Sequence, residues 1–318
     1  MLMSFTSDTK KELINVPQET CCEIASLSAI LAINGYLSLS SDGMRVVFQT
    51  TSLPLARKVI STLKHLYKVN VDVIYKKGVR LDKKNQYVVT VKEKVMTIIR
   101  ELGLMDEETG YAQTIDDTII MKDCDKRAYL RGAFLASGSV NAPVSSSYHL
   151  EVSVPNEPYA TSLRDLFNHF ELKAKTLKKK NHYLVYVKDS EKISDFLRIV
   201  EAHNALFTFE DERIKRDFVN SITRVMNMEI ANQNKTFEAA TKQLKQIEIV
   251  EKIFDDDEIS ESAKEAMFLR KMYPEASLNE LSDLSKKHYN KQISKSGLNH
   301  RFRAIAKLAG KAVDEYAD

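Results

Sequence analysis

The chain has 318 residues, enough for about two domains with separate cores, and its 43% hydrophobic and 29% charged content is typical of a folded protein. A formal net charge of +3 does not by itself indicate a nucleic-acid partner, so the local distribution of charge must decide. The three cysteines, Cys21, Cys22 and Cys124, provide neither a disulfide framework nor a CxxC metal site. Because an adjacent pair is a poor chelator of one tetrahedral ion, we interpret all three as reduced thiols.

The first residues carry no targeting signal that the sequence reveals. Charged residues from Asp8 to Glu12 replace the apolar core of a signal peptide. The longest apolar stretch, 24–33, is short and interrupted by serines, so we predict no membrane span. We therefore expect a cytoplasmic protein with no membrane partner.

Two stretches of the chain share one order of predicted elements and indicate an internal repeat. Each begins with a helix that ends in small residues and a glycine, as in LAINGYL and FLASGSV. Alternating strands, a helix, a basic segment, a further strand and a closing helix follow in both. The matching pairs are 28–37 and 131–140 for the helix ends, 44–52 and 148–156 for the first alternating strands, and 87–91 and 183–187 for the last strands. The unit reads αββαββα, and two copies predict a pseudo-two-fold α+β domain.

Small residues mark one face of the first helix in each copy. Small residues on facing stripes let two helix backbones approach closely, whereas alanines alone are equally typical of an ordinary core. The repeat favours the close helix pair. The aligned positions are Ala25, Ala29 and Ala32 in the first copy and Ala128, Gly132 and Leu135 in the second.

The two helix ends LAINGYL and FLASGSV resemble the LAGLIDADG motif of homing endonucleases, and the resemblance covers residues 19–205. It implies the fold of those enzymes, in which an acidic residue before each glycine holds divalent cations that activate water. The matching positions here are Asn34 and Ser137, an amide and a hydroxyl without the charge needed to hold Mg²⁺. We therefore expect no metal, no cofactor and no catalytic residue, although Asp42, Asp123 and Asp125 lie nearby in the sequence.

Basic residues follow the middle helix of each copy. In the endonuclease fold such hairpins flank a DNA-binding saddle, so they are candidate accessory contacts, although lysine-rich turns are also common as solvated loops. Arg224, on the polar face of a helix predicted from about Glu212, is a further candidate or part of a solvated or interdomain surface. The hairpin candidates are Lys76, Lys77, Arg80, Lys178, Lys179 and Lys180.

Residues 255–318 predict three helices around a small core. The first covers about 261–273, and the second begins at Ser277, where S-L-N-E predicts a capping box with Glu280. The third helix begins near Ser296 as its N-cap and continues to about Leu308. A short polar turn joins the last two helices, so the pattern predicts a helix-turn-helix.

The third of these helices has the charge pattern of a recognition helix. Its apolar residues are spaced to face inward, and no acidic residue occurs between Ser294 and Lys311. Outward polar and cationic side chains on a rigid helix suit the major groove, whereas a small interaction bundle with a solvated basic face has a similar pattern. The inward residues are Leu298, Phe302, Ile305 and Leu308. The candidate DNA-binding residues are Ser277, Ser294, Lys295, Ser296, Asn299, His300, Arg301, Arg303 and Lys307.

Roles within this set follow from residue type. We expect Asn299, Arg301 and Arg303 on base edges or phosphates, and 294–296 to anchor the DNA backbone at the helix N-terminus.

A degenerate LAGLIDADG domain followed by SLNELSDL and ISKSGLNHRFRAIAKLAG resembles the WhiA family almost end to end, and MSFTSDTKKEL (3–13) is similar to that family's opening. The resemblance implies a bacterial sequence-specific DNA-binding protein. It implies a transcriptional regulator or nucleoid-associated factor linked to cell division, chromosome segregation and, in some relatives, sporulation. Double-stranded DNA is the implied partner, with division or transcription proteins, including WhiB-type iron–sulfur proteins in actinobacteria, as further ones.

The predicted organisation combines an α+β unit with an all-α unit. The segments are 1–18 (N-terminal segment), 19–210 (LAGLIDADG-like domain, repeats 19–105 and 126–205), 211–254 (connecting helix) and 255–318 (helix-turn-helix domain). Two alternatives stay open: an active metal-dependent endonuclease, and a partner-binding scaffold tethered to DNA by the small domain. The sequence predicts neither the oligomeric state nor the DNA target.

Overall fold

The chain forms two compact units, residues 1–216 and 217–318, which are described separately. The computed structural model describes residues 4–41, 43–77, 85–106, 110–145 and 147–315. For residues 312–315 it describes the backbone alone. No helix within these ranges has the length and apolar character needed to cross a bilayer.

Unit one contains a short N-terminal helix and two copies of the same seven elements, as the sequence repeat predicts. Helix α1 covers Phe5–Ile14. The first copy consists of α2 (Thr20–Asn34), β1 (Gly35–Ser40), β2 (Gly43–Thr50), α3 (Leu53–Tyr67), β3 (Asp72–Lys76), β4 (Gln86–Val91) and α4 (Val95–Glu101). The second consists of α5 (Asp123–Ser137), β5 (Gly138–Val140), β6 (Leu150–Val154), α6 (Glu157–His169), β7 (Lys175–Lys178), β8 (Tyr183–Val187) and α7 (Ser190–Ile199).

Each copy folds into one four-stranded antiparallel sheet. The strand orders are β1-β2-β4-β3 and β5-β6-β8-β7, so the second copy repeats the topology of the first. In β6, Leu150, Val152 and Val154 are buried, whereas Glu151 and Ser153 point to the other face and are only partly covered. This alternation follows from the two-residue period of a strand and gives each sheet one core face. The αββαββα prediction is confirmed.

Helices α2 and α5 form the centre of unit one. Eight consecutive residues of α2, Ala25–Ala32, are buried, and so are the matching residues of α5, Ala128–Leu135. Eight consecutive buried residues make more than two helical turns, so each of these helices is surrounded by other elements of the protein. A Cβ at Gly132 would overlap the carbonyl oxygen of Ser26 and lie 2.9 Å from its Cα. The predicted close helix pair is therefore confirmed, with Gly132 packed against the backbone of Ser26.

Unit two is a helical bundle. The long helix α8 (His203–Ile253) begins in unit one, and its last turns contribute Ile247 and Val250 to the core of unit two. Around that core lie α9 (Glu261–Met272), α10 (Leu278–Tyr289) and α11 (Lys295–Glu315). Leu298, Phe302 and Ile305 are buried there, which confirms their predicted inward orientation.

Candidate nucleic-acid interface

The turn between α10 and α11 gives unit two its helix-turn-helix geometry. Asn290 ends α10 in the left-handed region with φ 52°, which lets the chain reverse direction. The backbone N–H of the buried Ile293 donates to Ser285 Oγ at 2.7 Å, and that hydroxyl donates to the carbonyl of Ser282 at 2.6 Å. These buried bonds tie the turn to α10 and so fix the start of α11.

A capping box begins α10, as predicted. The N–H of Glu280 donates to Ser277 Oγ at 3.2 Å, and the N–H of Ser277 donates to Glu280 Oε2 at 2.7 Å. The backbone hydrogen bond from Ser277 lowers the pKa of the Glu280 carboxyl. Ser277, a candidate DNA contact, is therefore already engaged as a helix cap, with a half-buried side chain.

The N-cap of α11 is Ser294, which corrects the predicted cap at Ser296. The N–H of Gly297 donates to Ser294 Oγ at 3.1 Å, and the N–H of Leu298 donates to the Ser294 carbonyl at 2.9 Å. Ser296 is the second residue of the helix, and its side chain is exposed. The helix also continues past Leu308 and through Gly310 to Glu315, because nothing at that glycine interrupts the helical ladder.

One face of α11 presents polar and cationic side chains to solvent. Ser296, Asn299, His300, Arg303 and Lys307 are all exposed, and their spacing places them on one side of a helix with 3.6 residues per turn. Neither Arg303 nor Lys307 has an ion-pair partner in the described part of the chain. We call these five residues the α11 face; Lys295 lies exposed beside it.

Arg301 does not belong to the α11 face, which corrects its predicted outward orientation. Its guanidinium pairs with Glu265 of α9 and donates to the Ser262 carbonyl at 3.1 Å. Residues 301 and 303 are separated by about 200° around a helix, so they cannot both point outward. Arg301 holds α11 against α9, whereas Arg303 is free of such contacts among the described residues.

A buried arginine that the sequence analysis missed supports this bundle. Arg270 is 1% exposed, and its Nη1 donates to the Ala276 carbonyl at 2.5 Å in the turn before α10. Its Nε donates to Gln243 Oε1 at 2.9 Å, and its guanidinium lies 5.6 Å from the Phe302 ring centre. Burial lowers its pKa. Nothing in the sequence marks this arginine as different from the exposed cations around it.

A polar groove of about 500 Å³ joins two of the predicted residues, Ser277 and Lys295. Asn279 at the start of α10 and Lys235 of α8 also line it. These two side chains were not predicted as candidates, because only the packing of α8 beside α10 brings them to the same groove.

The accessory basic candidates that the structure describes are all exposed. Lys76 ends β3 and Lys77 follows it, whereas Arg80, with its neighbours Lys83 and Lys84, lies outside the described residues. Lys178 ends β7 with its ammonium 5.8 Å from the Tyr183 ring centre, and Lys179 and Lys180 form the adjoining turn. Arg224 is exposed on α8 in unit two.

The two positions that match the acidic residues of the motif, Asn34 and Ser137, lie at the C-terminal ends of α2 and α5. Asn34 Nδ2 donates to the Ala136 carbonyl at 3.0 Å, and Ser137 Oγ donates to the Ser153 carbonyl at 2.5 Å. Both side chains are thus used as donors to the protein. Asp123 and Asp125 start α5, about 20 Å along the helix from Ser137, and Asp42 lies outside the described residues. Within the described ranges, no cluster of potential metal ligands lies at this end of the pair.

Three family models match the chain in order. They are described as the WhiA N-terminal LAGLIDADG-like domain (residues 20–105), the WhiA LAGLIDADG-like domain (126–219) and the WhiA C-terminal HTH domain (222–309). The two αββαββα copies and the three-helix bundle therefore correspond to separate domains of one family.

Curated relatives match over nearly the whole chain. A probable cell division protein WhiA of Oceanobacillus iheyensis is 42% identical over 309 residues, which cover 97% of this chain and 98% of that protein. A protein of the same name from Bacillus mycoides is 42% identical and covers 97% of both chains. A crystal structure of full-length WhiA from Thermatoga maritima has the same fold, with a TM-score of 0.59 and 23% identity over 98% of this chain and 99% of that one. The chain belongs to the WhiA family.

Proposed function

We propose that this protein binds duplex DNA through the α11 face and acts as a sequence-specific regulator in cell division. The observation that carries the proposal is the set of exposed side chains on that face. Arg303 and Lys307 lie within one to two turns of Asn299, and none of the three is engaged by another described residue.

Each side chain of the α11 face has a chemistry that suits a part of the duplex. Arginine binds guanine edges or phosphates in a bidentate manner, asparagine binds adenine edges, and lysine neutralises phosphate. Residues 284–313 contain eight lysines and arginines and no acidic residue. A helix of this length with a fixed start suits insertion into the major groove.

The backbone of the DNA has its own candidate contacts. Lys295 and Asn279 line the groove beside the start of α10, where the lysine charge and the helix dipole favour an anion. We place a phosphate there, with Ser294 and Ser296 contributing at the start of α11. The exposed basic residues of unit one and Arg224 remain accessory candidates.

We infer further that the LAGLIDADG-like unit has lost its nuclease activity. The support is chemical, because Asn34 and Ser137 have no carboxylate to hold a divalent cation. Both side chains instead donate hydrogen bonds to backbone carbonyls. The proposal gives the protein a place at the nucleoid in the cytoplasm, in keeping with the name of its relatives, probable cell division protein.

Genome-wide crosslinking tests the DNA-binding proposal and identifies the targets at the same time. Wild-type protein is expected to occupy discrete sites, and Arg303→Ala is expected to lose most of that occupancy. Lys271→Ala is the matched control, because Lys271 is an exposed cation already paired with Glu251 at 2.9 Å. Equal occupancy by the two variants would contradict the proposal.

The nuclease inference is tested by incubating the protein with plasmid libraries in Mg²⁺ or Mn²⁺. We expect no cleavage above that of a chelator-treated sample. Specific nicking that chelator abolishes, and that is lost in Asn34→Ala with Ser137→Ala, would restore the endonuclease alternative. Binding of division or transcription proteins stays a prediction, and pull-down with the full chain is its test.

A further inference from the structure

The first turns of α2 and α5 bring together four side chains that no motif connects. Cys21 and Cys22 start α2, and Cys124 and Asp125 start α5. Their three sulfur atoms and one carboxylate oxygen all lie within 4.8 Å of one another. We call these four residues the thiol cluster. It is the one group of at least three potential metal ligands that the described residues form.

The thiol cluster follows the internal repeat. The alignment that pairs Ala25 with Ala128 also pairs Cys21 with Cys124 and Cys22 with Asp125. Each copy therefore contributes two ligands from the same two positions of its central helix. The cluster lies at the N-terminal ends of the helix pair, opposite to the vestigial ends marked by Asn34 and Ser137.

The adjacent pair Cys21 and Cys22 gave no reason in the sequence to expect a metal, but Cys124 and Asp125 of the second helix complete four ligand atoms whose spacing fits a tetrahedral ion. A zinc site with metal–sulfur bonds of ~2.3 Å has ligand atoms roughly 3.8 Å apart, so small side-chain rotations would close the present cluster around an ion. Three ligands are thiols, which favour zinc and similar soft cations over magnesium. In the metal-free chain the hydrogen bond to Asp125 raises the pKa of the Cys21 thiol, and burial raises the pKa of the Cys22 thiol, so an ion must displace protons from neutral thiols.

The carboxylate is already oriented toward the thiols. One oxygen of the buried Asp125 accepts from the N–H of Lys122 at 3.3 Å, and the other lies 3.5 Å from Cys124 Sγ. Such a second hydrogen bond is typical of metal-ligating carboxylates. Cys124 is exposed and the other two thiols are half-buried, so an ion can reach the cluster from solvent.

We propose that Cys21, Cys22, Cys124 and Asp125 bind one thiophilic divalent cation of the zinc class. On binding, the three thiols release their protons to solvent and the carboxylate adds the fourth ligand. Because the protein supplies all four ligands, the site is structural: it joins the two repeats at the end of the helix pair that the vestigial motif does not occupy.

Cadmium titration of the reduced, metal-free full chain tests this site. A phosphine reductant keeps the thiols reduced without competing for metal. We expect one cadmium ion per chain, an ultraviolet cadmium–thiolate charge-transfer band, displacement of cadmium by zinc, and protection of the thiols from alkylation. Cys124→Ser and Asp125→Asn are each expected to weaken binding by more than about tenfold. His169→Gln is the control, because this exposed imidazole lies near α5 but outside the cluster.

Several results would overturn the proposal. One is the absence of the charge-transfer band together with unprotected thiols in the unmodified chain, a readout that does not depend on any variant folding. Another is cadmium binding that survives Cys22→Ser and Cys124→Ser, which would mark it as adventitious. A third is a disulfide between the two helices, found by mass spectrometry in protein purified without reductant, in place of bound metal.

Discussion

Folding changes the pKa of one lysine of unit one, Lys10, by burying its side chain. Lys10 of α1 is half-buried, with its ammonium 5.6 Å from the Phe134 ring centre. Burial lowers the pKa of Lys10 to about 8 from its ordinary value of 10.5. The folded state therefore releases this proton more readily than the unfolded chain does, and the charged lysine opposes folding at neutral pH.

This leads to a prediction about pH. Below pH 8 Lys10 is protonated in both the folded and the unfolded state, and its buried charge destabilises the fold fully. Between pH 8 and 10.5 the folded state has lost this proton while the unfolded chain still binds it, so the free energy of unfolding increases with pH. Relative to Lys10→Met, the wild-type chain should gain stability across this window in denaturant titrations at several pH values. Lys11→Met, at an exposed position, is the control. A constant difference between wild type and Lys10→Met would contradict the argument.

Sequence periodicity predicted the buried face of α11 but placed the start of the helix two positions late. The inward residues of α11 were predicted correctly because their period survives a small error in phase. The cap was predicted at the wrong serine, because Ser294 and Ser296 are both acceptable N-caps by residue type. Only the hydrogen bond from the Gly297 N–H to Ser294 Oγ identifies Ser294 as the cap. Arg301 was misplaced because its partner, Glu265, lies on another helix.

At the scale of single elements, the start of α11 provides a matched pair of serines. Ser294→Ala removes the acceptor for the Gly297 N–H and should cost about 1 kcal/mol of unfolding free energy. Ser296→Ala removes an exposed hydroxyl and should change stability by less than about 0.5 kcal/mol. Chemical denaturation measures both. A larger loss for Ser296→Ala would return the cap to the position that the sequence predicted.

Gly132 of the central helix pair and Gly310 of α11 have opposite expected effects when they are replaced by alanine. Gly132→Ala places a methyl group against the backbone of Ser26 and should destabilise unit one by roughly 1–3 kcal/mol. Gly310→Ala meets open space in α11 and should stabilise unit two by up to about 1 kcal/mol, because alanine favours the helix. Thermal unfolding followed by calorimetry distinguishes the two. Equal effects of one sign would mean that helix propensity, and not close packing, governs both sites.

The thiol cluster shows what pattern reasoning could not reach at this scale. Cys21 and Cys22 are adjacent, whereas Cys124 is distant in the chain, so no motif spacing connects them. The repeat itself was visible, and so was the pairing of α2 with α5. The repeat also aligns the first turns of the two helices, but only the folded helix pair places those four side chains beside one another.

At the scale of the whole molecule, the net charge of unit two differs from the charge of its C-terminal segment. Residues 217–318 contain sixteen lysines and arginines and seventeen aspartates and glutamates, a net charge of −1. Total charge therefore gives no attraction to DNA, whereas the acid-free segment 284–313 concentrates eight cations. DNA binding by this unit must then depend on a few defined contacts and decrease with salt in proportion to their number.

The salt dependence of DNA affinity tests the proposed role of the α11 face most directly. Each lysine or arginine that neutralises a phosphate contributes about −0.9 to the slope of log K against log salt. The slope for Arg303→Ala with Lys307→Ala should therefore be shallower than that of wild type by roughly 1.8. The control double variant, Lys264→Ala with Lys271→Ala, changes the net charge equally but removes cations already paired with carboxylates. The account predicts a reduced slope for the first variant and an unchanged slope for the second. Identical slopes for wild type and both variants would contradict it.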